Sequence, residues 1–300
     1  MKKEQSGSVK GASAQAPHIN WTCVDTTVFD ISDNPLGPYT LTQGLAYDPE
    51  TNRVFFSGCI TLPVLSQAGF LRGNVEYVEE LSKKFLFPAD LTKYGINHVG
   101  CIDILDGEIL APLEDKRYAG ENYLNPMLAT FDPETFAYTG THALLPRDED
   151  QDNGVPWVAA DAAHGVVYTS KYSPERLNIF PIAALWSDTP VREQLQLSRR
   201  IRDVQAGKVL DGHLYVISEE EVKVIDLADG AVFDVYLGDY LPRPENPDYF
   251  YEWEHEGLAF FHGEKGSFLH LTAVRSLGGP DIIYPIPTGV VVFDFKISSK

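Results

Sequence analysis

An all-β ring of five repeated blades, a five-bladed β-propeller, is the fold class this sequence predicts, and three observations predict it. The first is a recurring pattern. Glu254-His255-Glu256-Gly257-Leu258-Ala259-Phe260 has an early counterpart in Thr42-Gln43-Gly44-Leu45-Ala46-Tyr47-Asp48. Looser copies stand at Asn97-His98-Val99-Gly100-Cys101-Ile102-Asp103, Pro156-Trp157-Val158-Ala159-Ala160-Asp161 and Val204-Gln205-Ala206-Gly207-Lys208-Val209. With Gln43, His98, Pro156, Gln205 and Glu256 aligned, the intervals are 55, 58, 49 and 51 residues. Repeats of that length, each opening on a short strand hairpin, are the mark of a propeller. The second observation is composition: 16 Phe, 15 Tyr, 24 Gly and 20 Pro against 2 Met suit many short strands and tight turns. The third concerns the ends. Residues 256–295 hold only three convincing strands where a blade needs four, while Trp21 to Ile31 reads as a strand with no hairpin partner. Joining the two closes the ring without a free edge.

The elements follow in order. Residues 1–18, rich in Ser, Gly, Ala, Lys and Gln, carry no periodicity and are expected to be disordered; residues 19–300 are expected to form one propeller domain. The first repeat pairs Gly44–Tyr47 with Arg53–Ser57 across Asp48-Pro49-Glu50-Thr51-Asn52, where proline presets φ and aspartate caps the turn. From Cys59 to Tyr94 the pattern is irregular, with an outer strand expected at Lys84–Phe87. Six blades would require this insert to be a blade, but it lacks the small apolar inner strand, so five are expected. In the second repeat Val99–Ile102 and Glu108–Pro112 flank Asp106-Gly107, a tight hairpin signal. Met127–Phe131 and Ala137–Leu144 then flank a second Asp-Pro-Glu-Thr turn. The third pairs Trp157–Ala160 with Val166–Ser170, continues through Leu177–Phe180 and ends in a helical turn near Ile182–Trp186. The fourth holds two hairpins, across Asp211-Gly212 and Asp229-Gly230. Tyr240 to Tyr251, dense in aromatics and prolines, reads as a long connection.

Charge excludes some functions. With 43 acidic and 24 basic side chains the formal charge is −19, a field that repels nucleic acid and anionic membranes and favours cations. No apolar run of about 18 residues exists to span a membrane. The N-terminal stretch has lysines but no apolar core for a secretory signal, so a cytoplasmic protein is expected, a secreted one with its leader removed being the alternative. Cys23, Cys59 and Cys101 show no metal or redox spacing and are expected as small apolar residues, although Cys23 and Cys59 would approach each other if the N-terminal strand closes the ring.

In a propeller the inner strands start around one mouth of a central channel, where residues from separate blades converge on a rigid rim. Here those starts carry Gln43, His98, Pro156 beside Trp157, Gln205, and Glu256 with His255 and Glu254 just ahead. His98 and Glu256 are the candidate catalytic acid and base, and Gln43, Trp157, Gln205 and His255 the candidate substrate contacts for a small polar ligand. Alternatively Glu256, His98 and the amide oxygens of Gln43 and Gln205 hold a divalent cation, calcium being favoured by the two amides. The third reading is structural: these side chains bond one another and plug the channel. Trp157, Trp253, Tyr251 and Phe250 are candidates for an aromatic wall suited to a sugar, a ring or a cation. Asp148-Glu149-Asp150-Gln151-Asp152-Asn153-Gly154 alternates carboxylates as a calcium loop does, yet has Asn153 and Ala159 where such a loop has Gly and Glu, so an acidic surface loop is expected. No Gly-x-Ser-x-Gly, phosphate loop or dinucleotide fingerprint is present.

Thr42-Gln43-Gly44-Leu45 followed by a hairpin resembles the first blade of plant-type glutaminyl cyclases, five-bladed propellers with a site at the channel mouth. The small-apolar inner strands and the Glu256-Gly257-Leu258-Ala259 run are similar to the lactonase-like and quinoprotein-like propellers. These resemblances imply the fold and the place of a site rather than a reaction. The functional expectation is an enzyme of hydrolase, lyase or cyclase type at the channel mouth, working by acid–base chemistry or with a bound cation; a non-catalytic scaffold for a protein or sugar is the alternative.

Overall fold

The computed structural model describes residues 19–30, 38–62, 65–84, 86–116, 123–218, 221–263, 266–280 and 286–299. The expectation of disorder for residues 1–18 and the end of the first strand at Ile31 lie outside them. The chain opens with β1 (Ile19–Asp30). Blade 1 follows as β2 (Gly44–Asp48), β3 (Arg53–Leu62), β4 (Leu65–Asn74) and β5 (Glu79–Lys84). Blade 2 is β6 (His98–Val99), β7 (Asp103–Leu105), β8 (Glu108–Glu114), β9 (Met127–Phe131) and β10 (Tyr138–Leu144), with the inner position shared between β6 and β7. Blade 3 is β11 (Val158–Asp161), β12 (Val166–Thr169), β13 (Arg176–Pro181) and β14 (Glu193–Gln196). Blade 4 is β15 (Val204–Leu210), β16 (His213–Ser218), β17 (Glu221–Asp226) and β18 (Val232–Val235). Blade 5 is β19 (Phe250–Gly263), β20 (Gly266–Gly278) and β21 (Ile286–Ser299), and β1 pairs antiparallel with β21 as its fourth strand. Five antiparallel sheets thus make a five-bladed propeller closed by the N-terminal strand, as the sequence predicts.

Local chemistry sets the turns. Asp106-Gly107 and Asp211-Gly212 have positive φ at both residues (51° and 78°, 49° and 75°), the mirror-image turn whose twist matches the flanking strands. In the Asp-Pro-Glu-Thr turns the aspartate accepts from the chain two residues on: Glu50 N–H donates to Asp48 at 2.9 Å and Glu134 N–H to Asp132 at 2.9 Å.

The inner strands meet through their smallest residues. A Cβ on Gly44 would lie 2.5 Å from Cys101 Cα, one on Gly100 2.0 Å from Pro156 O, one on Gly207 2.6 Å from the Trp157 ring and one on Gly257 3.0 Å from Leu45 N. Each of these glycines belongs to the recurring pattern, and each brings one blade against the next: 1 to 2, 2 to 3, 4 to 3 and 5 to 1. The small-apolar repeat is therefore a packing requirement of the axis, where the neighbouring blade leaves no room for a side chain, through its backbone at Gly44, Gly100 and Gly257 and through the Trp157 ring at Gly207. Larger residues fill the widening wedges between blades. Phe55, Phe70, Phe131 and Phe136 pack between blades 1 and 2, and Val158, Val167 and Phe180 face Leu110 and Leu128 between 2 and 3. Closure has its own packing: Trp21 of β1 lies edge-on to Tyr215 of blade 4, while Phe29 meets Phe56 and Tyr77 of blade 1. A polar clasp joins first and last blades, the Tyr77 hydroxyl donating to Asp294 at 2.9 Å beside His270.

Three sequence expectations need correction. The irregular stretch from Cys59 is not an insert: β3 runs on to Leu62 and returns as β4, so these residues supply the outer half of blade 1. Its outermost strand is Glu79–Lys84 rather than Lys84–Phe87. The connection before the last blade ends at Tyr249, and Phe250 already opens β19. An outer strand at Glu193–Gln196 carries no apolar alternation and escaped the pattern. Cys101 is buried and Cys23 and Cys59 are half-buried. No helix of the described residues is long and apolar enough to cross a membrane.

Candidate functional site

Antiparallel blades bring two kinds of residue to the channel mouth: those that start the inner strands and those that follow the second strands. Gln43 precedes β2, Gln205 lies at the start of β15, and Glu254 and Glu256 project from β19. Lys116 and Tyr172 follow β8 and β12, and Tyr123 and Asn153 come from connecting segments. These eight side chains line one pocket of about 360 Å³, within the size range of small-molecule sites. Sequence reasoning placed Gln43, Gln205 and Glu256 at this mouth, with Glu254 beside them. It missed Lys116, Tyr123, Asn153 and Tyr172. Only the rule that second strands end where first strands begin could have pointed to Lys116 and Tyr172.

The chemistry centres on Glu256. It is 4% exposed, and burial together with the neighbouring Glu254 carboxylate holds its carboxyl well above the usual range, against a smaller opposing pull from Lys116. Gln43 Nε2 donates to Thr42 O at 3.0 Å and to Glu256 Oε1 at 3.4 Å, a fixed amide at the carboxyl's edge. The site therefore joins a buried carboxyl whose surroundings favour its protonated form, an exposed carboxyl, an ammonium and three amides.

Across the pocket stand two phenols. Tyr172 donates to the fully buried Glu114 at 3.4 Å, and the Tyr123 ring lies 6.0 Å from the Tyr172 ring. Burial and the Glu114 charge raise both hydroxyls, Tyr123 to about 12 and Tyr172 well above the ordinary phenol value. Glu114 also accepts Val155 N–H at 2.6 Å and lies 3.2 Å from His98 Nδ1. Burial lowers the His98 pKa, with Glu114 opposing. Removing one acceptor oxygen from so enclosed a group leaves a donor unmet. Glu114→Gln is expected to lower stability by about 2 kcal/mol in urea unfolding; unchanged stability would mean that Glu114 does not anchor this wall.

The remaining candidates are placed elsewhere. His98 is 2% exposed and sits behind the pocket wall on Glu114. Trp157 is fully buried, its indole N–H donating to Ser170 at 3.0 Å and its ring covering Gly207. His255 is 1% exposed and bonded to the Tyr240 hydroxyl at 2.9 Å. None of the three lines the pocket. Deeper in the channel, Lys208 of blade 4 crosses to blade 2, bonding Ile102 O at 2.5 Å and Asp103 at 2.8 Å, while Asp103 also accepts Ala160 N–H of blade 3. The channel is thus plugged at that depth and open at the mouth.

Among the described residues no group of three or more His, Cys, Asp and Glu could hold a metal ion. The carboxylates of the Asp148 loop are engaged by basic side chains instead: Asp148 with Arg192, Asp150 with Arg176 at 3.1 Å and Asp152 with Lys171 at 3.4 Å. This is a surface loop tied to blade 3.

No family model matches the chain, and a search of curated proteins finds no match. Among solved structures, the chain is similar to a glutaminyl cyclase of Myxococcus xanthus, with 11% identity and a TM-score of 0.54 over 94% of this chain and 98% of that one. It is also similar to a luciferin-regenerating enzyme (13% identity, TM-score 0.49, 90% and 95% covered) and to the WD40 propeller domain of Doa1 (12%, 0.39, 84% and 78%). At such identities the likeness establishes the fold alone.

Proposed function

We propose that the mouth pocket is the active site of an acid–base enzyme acting on a small polar amide that also carries an amine. The observation that carries this reading is the burial of the Glu256 carboxyl beside the exposed Glu254 in a pocket shared with Lys116, surroundings that favour its protonated form. A carboxylic acid that keeps its proton near neutral pH is suited to hand it to a leaving group. Glu254 offers the charge to hold a substrate amine, and Lys116 an ammonium for the oxygen that becomes negative when a carbonyl is attacked. Gln43 and Gln205 supply amide donors and acceptors to orient the substrate, while Tyr172, fixed by Glu114, forms the far wall. His98 acts through Glu114 as a positioning residue.

Cyclisation of an N-terminal glutaminyl residue is the first reaction to test, because the similar Myxococcus xanthus structure bears that name and the chemistry suits these groups. The neutral amine attacks the side-chain carbonyl and a C–N bond forms; Glu254 takes the proton that the attacking nitrogen sheds, the bond to the amide NH₂ breaks as that group takes a proton from Glu256 and leaves as ammonia, and the proton on Glu254 then passes to Glu256. Ammonia release from glutaminyl peptides and small amino amides is the assay. Wild-type protein is expected to turn over at least one of them, and Glu256→Gln to lower kcat/KM by at least about 100-fold while remaining folded. No turnover by the wild type on any of these substrates, or full activity in Glu256→Gln, would overturn the proposal.

A further inference from the structure

A second and larger concavity lies on the mouth side, between the outer strands of blade 4 and the segment leading into β19. Its volume is about 1420 Å³, more than a small metabolite needs, and it runs beside β18, the outermost strand of its sheet. One wall is aromatic. Phe250 is 50% exposed and Tyr236 79% exposed, large for ordinary surface rings, and Tyr249, Tyr251 and Trp253 continue the wall. The rings are seated. A Cβ on Gly278 would lie 2.4 Å from the Phe250 ring and one on Gly279 2.5 Å from the Tyr249 ring, so both rest directly on glycine backbone. Rings held in place before binding lose little freedom when a partner arrives.

Charged side chains share the lining: Glu221, Asp234, Asp239 and Arg243, with Asp234 also held by Arg199. Glu221 and Asp234 already hold Lys223, and the Arg275 guanidinium lies 5.0 Å over the Tyr251 ring, so the protein's own cations use the same two chemistries here. Asp239 accepts the Tyr236 hydroxyl at 3.1 Å and among the described residues pairs with no cation. Aromatic faces and the one carboxylate without a cation, on a chain of net charge −19, select for positive charge.

We propose that this groove docks a lysine- or arginine-bearing peptide segment of a partner protein, with aliphatic stems and cationic heads over Phe250 and Tyr236 and a charge at Asp239. The groove is separate from the mouth pocket: on β19, Trp253 lines the groove and the next residue, Glu254, lines the pocket. The docking site therefore stands whether or not the pocket is catalytic.

The test is fluorescence anisotropy with a labelled alternating lysine–serine peptide and its Lys→Gln and Lys→Glu counterparts, on the full chain. The lysine peptide alone is expected to bind. Phe250→Ala and Tyr236→Ala should each weaken it about tenfold and Asp239→Asn about fivefold. Asp106→Asn and Asp211→Asn, on hairpins at the opposite end of the blades, should leave binding within about twofold, since they change charge without touching the groove. Tyr236 is exposed enough that its variant keeps the fold even if Phe250→Ala does not. Equal binding of the Lys→Gln peptide, no binding of any peptide, or equal losses from the hairpin variants would overturn the proposal, the last by reducing the effect to net charge.

Discussion

Gly100→Ala is expected to destabilise the protein by about 3 kcal/mol, lowering Tm by roughly 5 °C. The added methyl would lie 2.0 Å from Pro156 O and 2.7 Å from Pro156 C, both backbone atoms of the next blade. Neither side can yield. Cys101 N–H donates to Pro156 O at 2.8 Å and Val158 N–H to Cys101 O at 3.2 Å, so the two chains are already bonded at this point. Gly100 N–H is held by Pro112 O and Gly100 O by the Ser57 hydroxyl. Relief therefore means moving blades 2 and 3 apart, against the packing of Leu110 and Val158 between them. Gly107→Ala provides the contrast. It has open space around it and φ of 78°, so it should cost only about 1 kcal/mol, from backbone strain. Calorimetry on the two variants separates the effects; equal losses would mean that the inner strands do not pack as tightly as the glycine contacts require.

Glu256→Gln is expected to do the opposite at high pH, stabilising the protein by about 1–3 kcal/mol at pH 8. Glu256 binds its proton more tightly in the folded chain than in the unfolded one, where its pKa returns to about 4.3. Above that value, and up to the raised folded value, the folded state carries the extra proton. Stability from this group is complete below the unfolded value and declines by up to about 1.4 kcal/mol per pH unit as pH rises. Glutamine carries no titrating proton and removes the decline, so the variant's advantage should grow from pH 4 to pH 8 in urea melts. An advantage that does not change with pH, or a loss at pH 8, would contradict the burial and charge environment described for this carboxyl. A residue whose loss stabilises the fold is one that the fold does not need, which accords with a role in binding or chemistry.

The sequence made the axis legible and the rim only half so. The small residues recur because four of the five inner strands meet a neighbouring blade too close for a side chain, and repetition turns that constraint into a visible period. The N-terminal strand was readable from a shortage, three strands at the end and one at the start. Outer strands were harder. Glu193–Gln196 and Glu79–Lys84 are largely exposed, so no buried face imposes alternation on them. At the mouth, Gln43, Gln205 and Glu256 were found because they sit at fixed places in the repeat. Lys116, Tyr123, Asn153 and Tyr172 come from the ends of second strands and from connections, which differ from blade to blade. His98 shares the position of Glu256 in the repeat but turns to Glu114 behind the wall, which the pattern does not encode.

The proposed reaction and the pH dependence both require a neutral Glu256 carboxyl at the mouth of the ring. Infrared difference spectroscopy between wild type and Glu256→Gln at neutral pH reads this directly, because a protonated carboxyl has a carbonyl stretch that a carboxylate lacks. The account predicts a protonated-carboxyl band in the wild type that is missing from the variant and fades only as pH is raised. A difference spectrum showing loss of a carboxylate instead would contradict it.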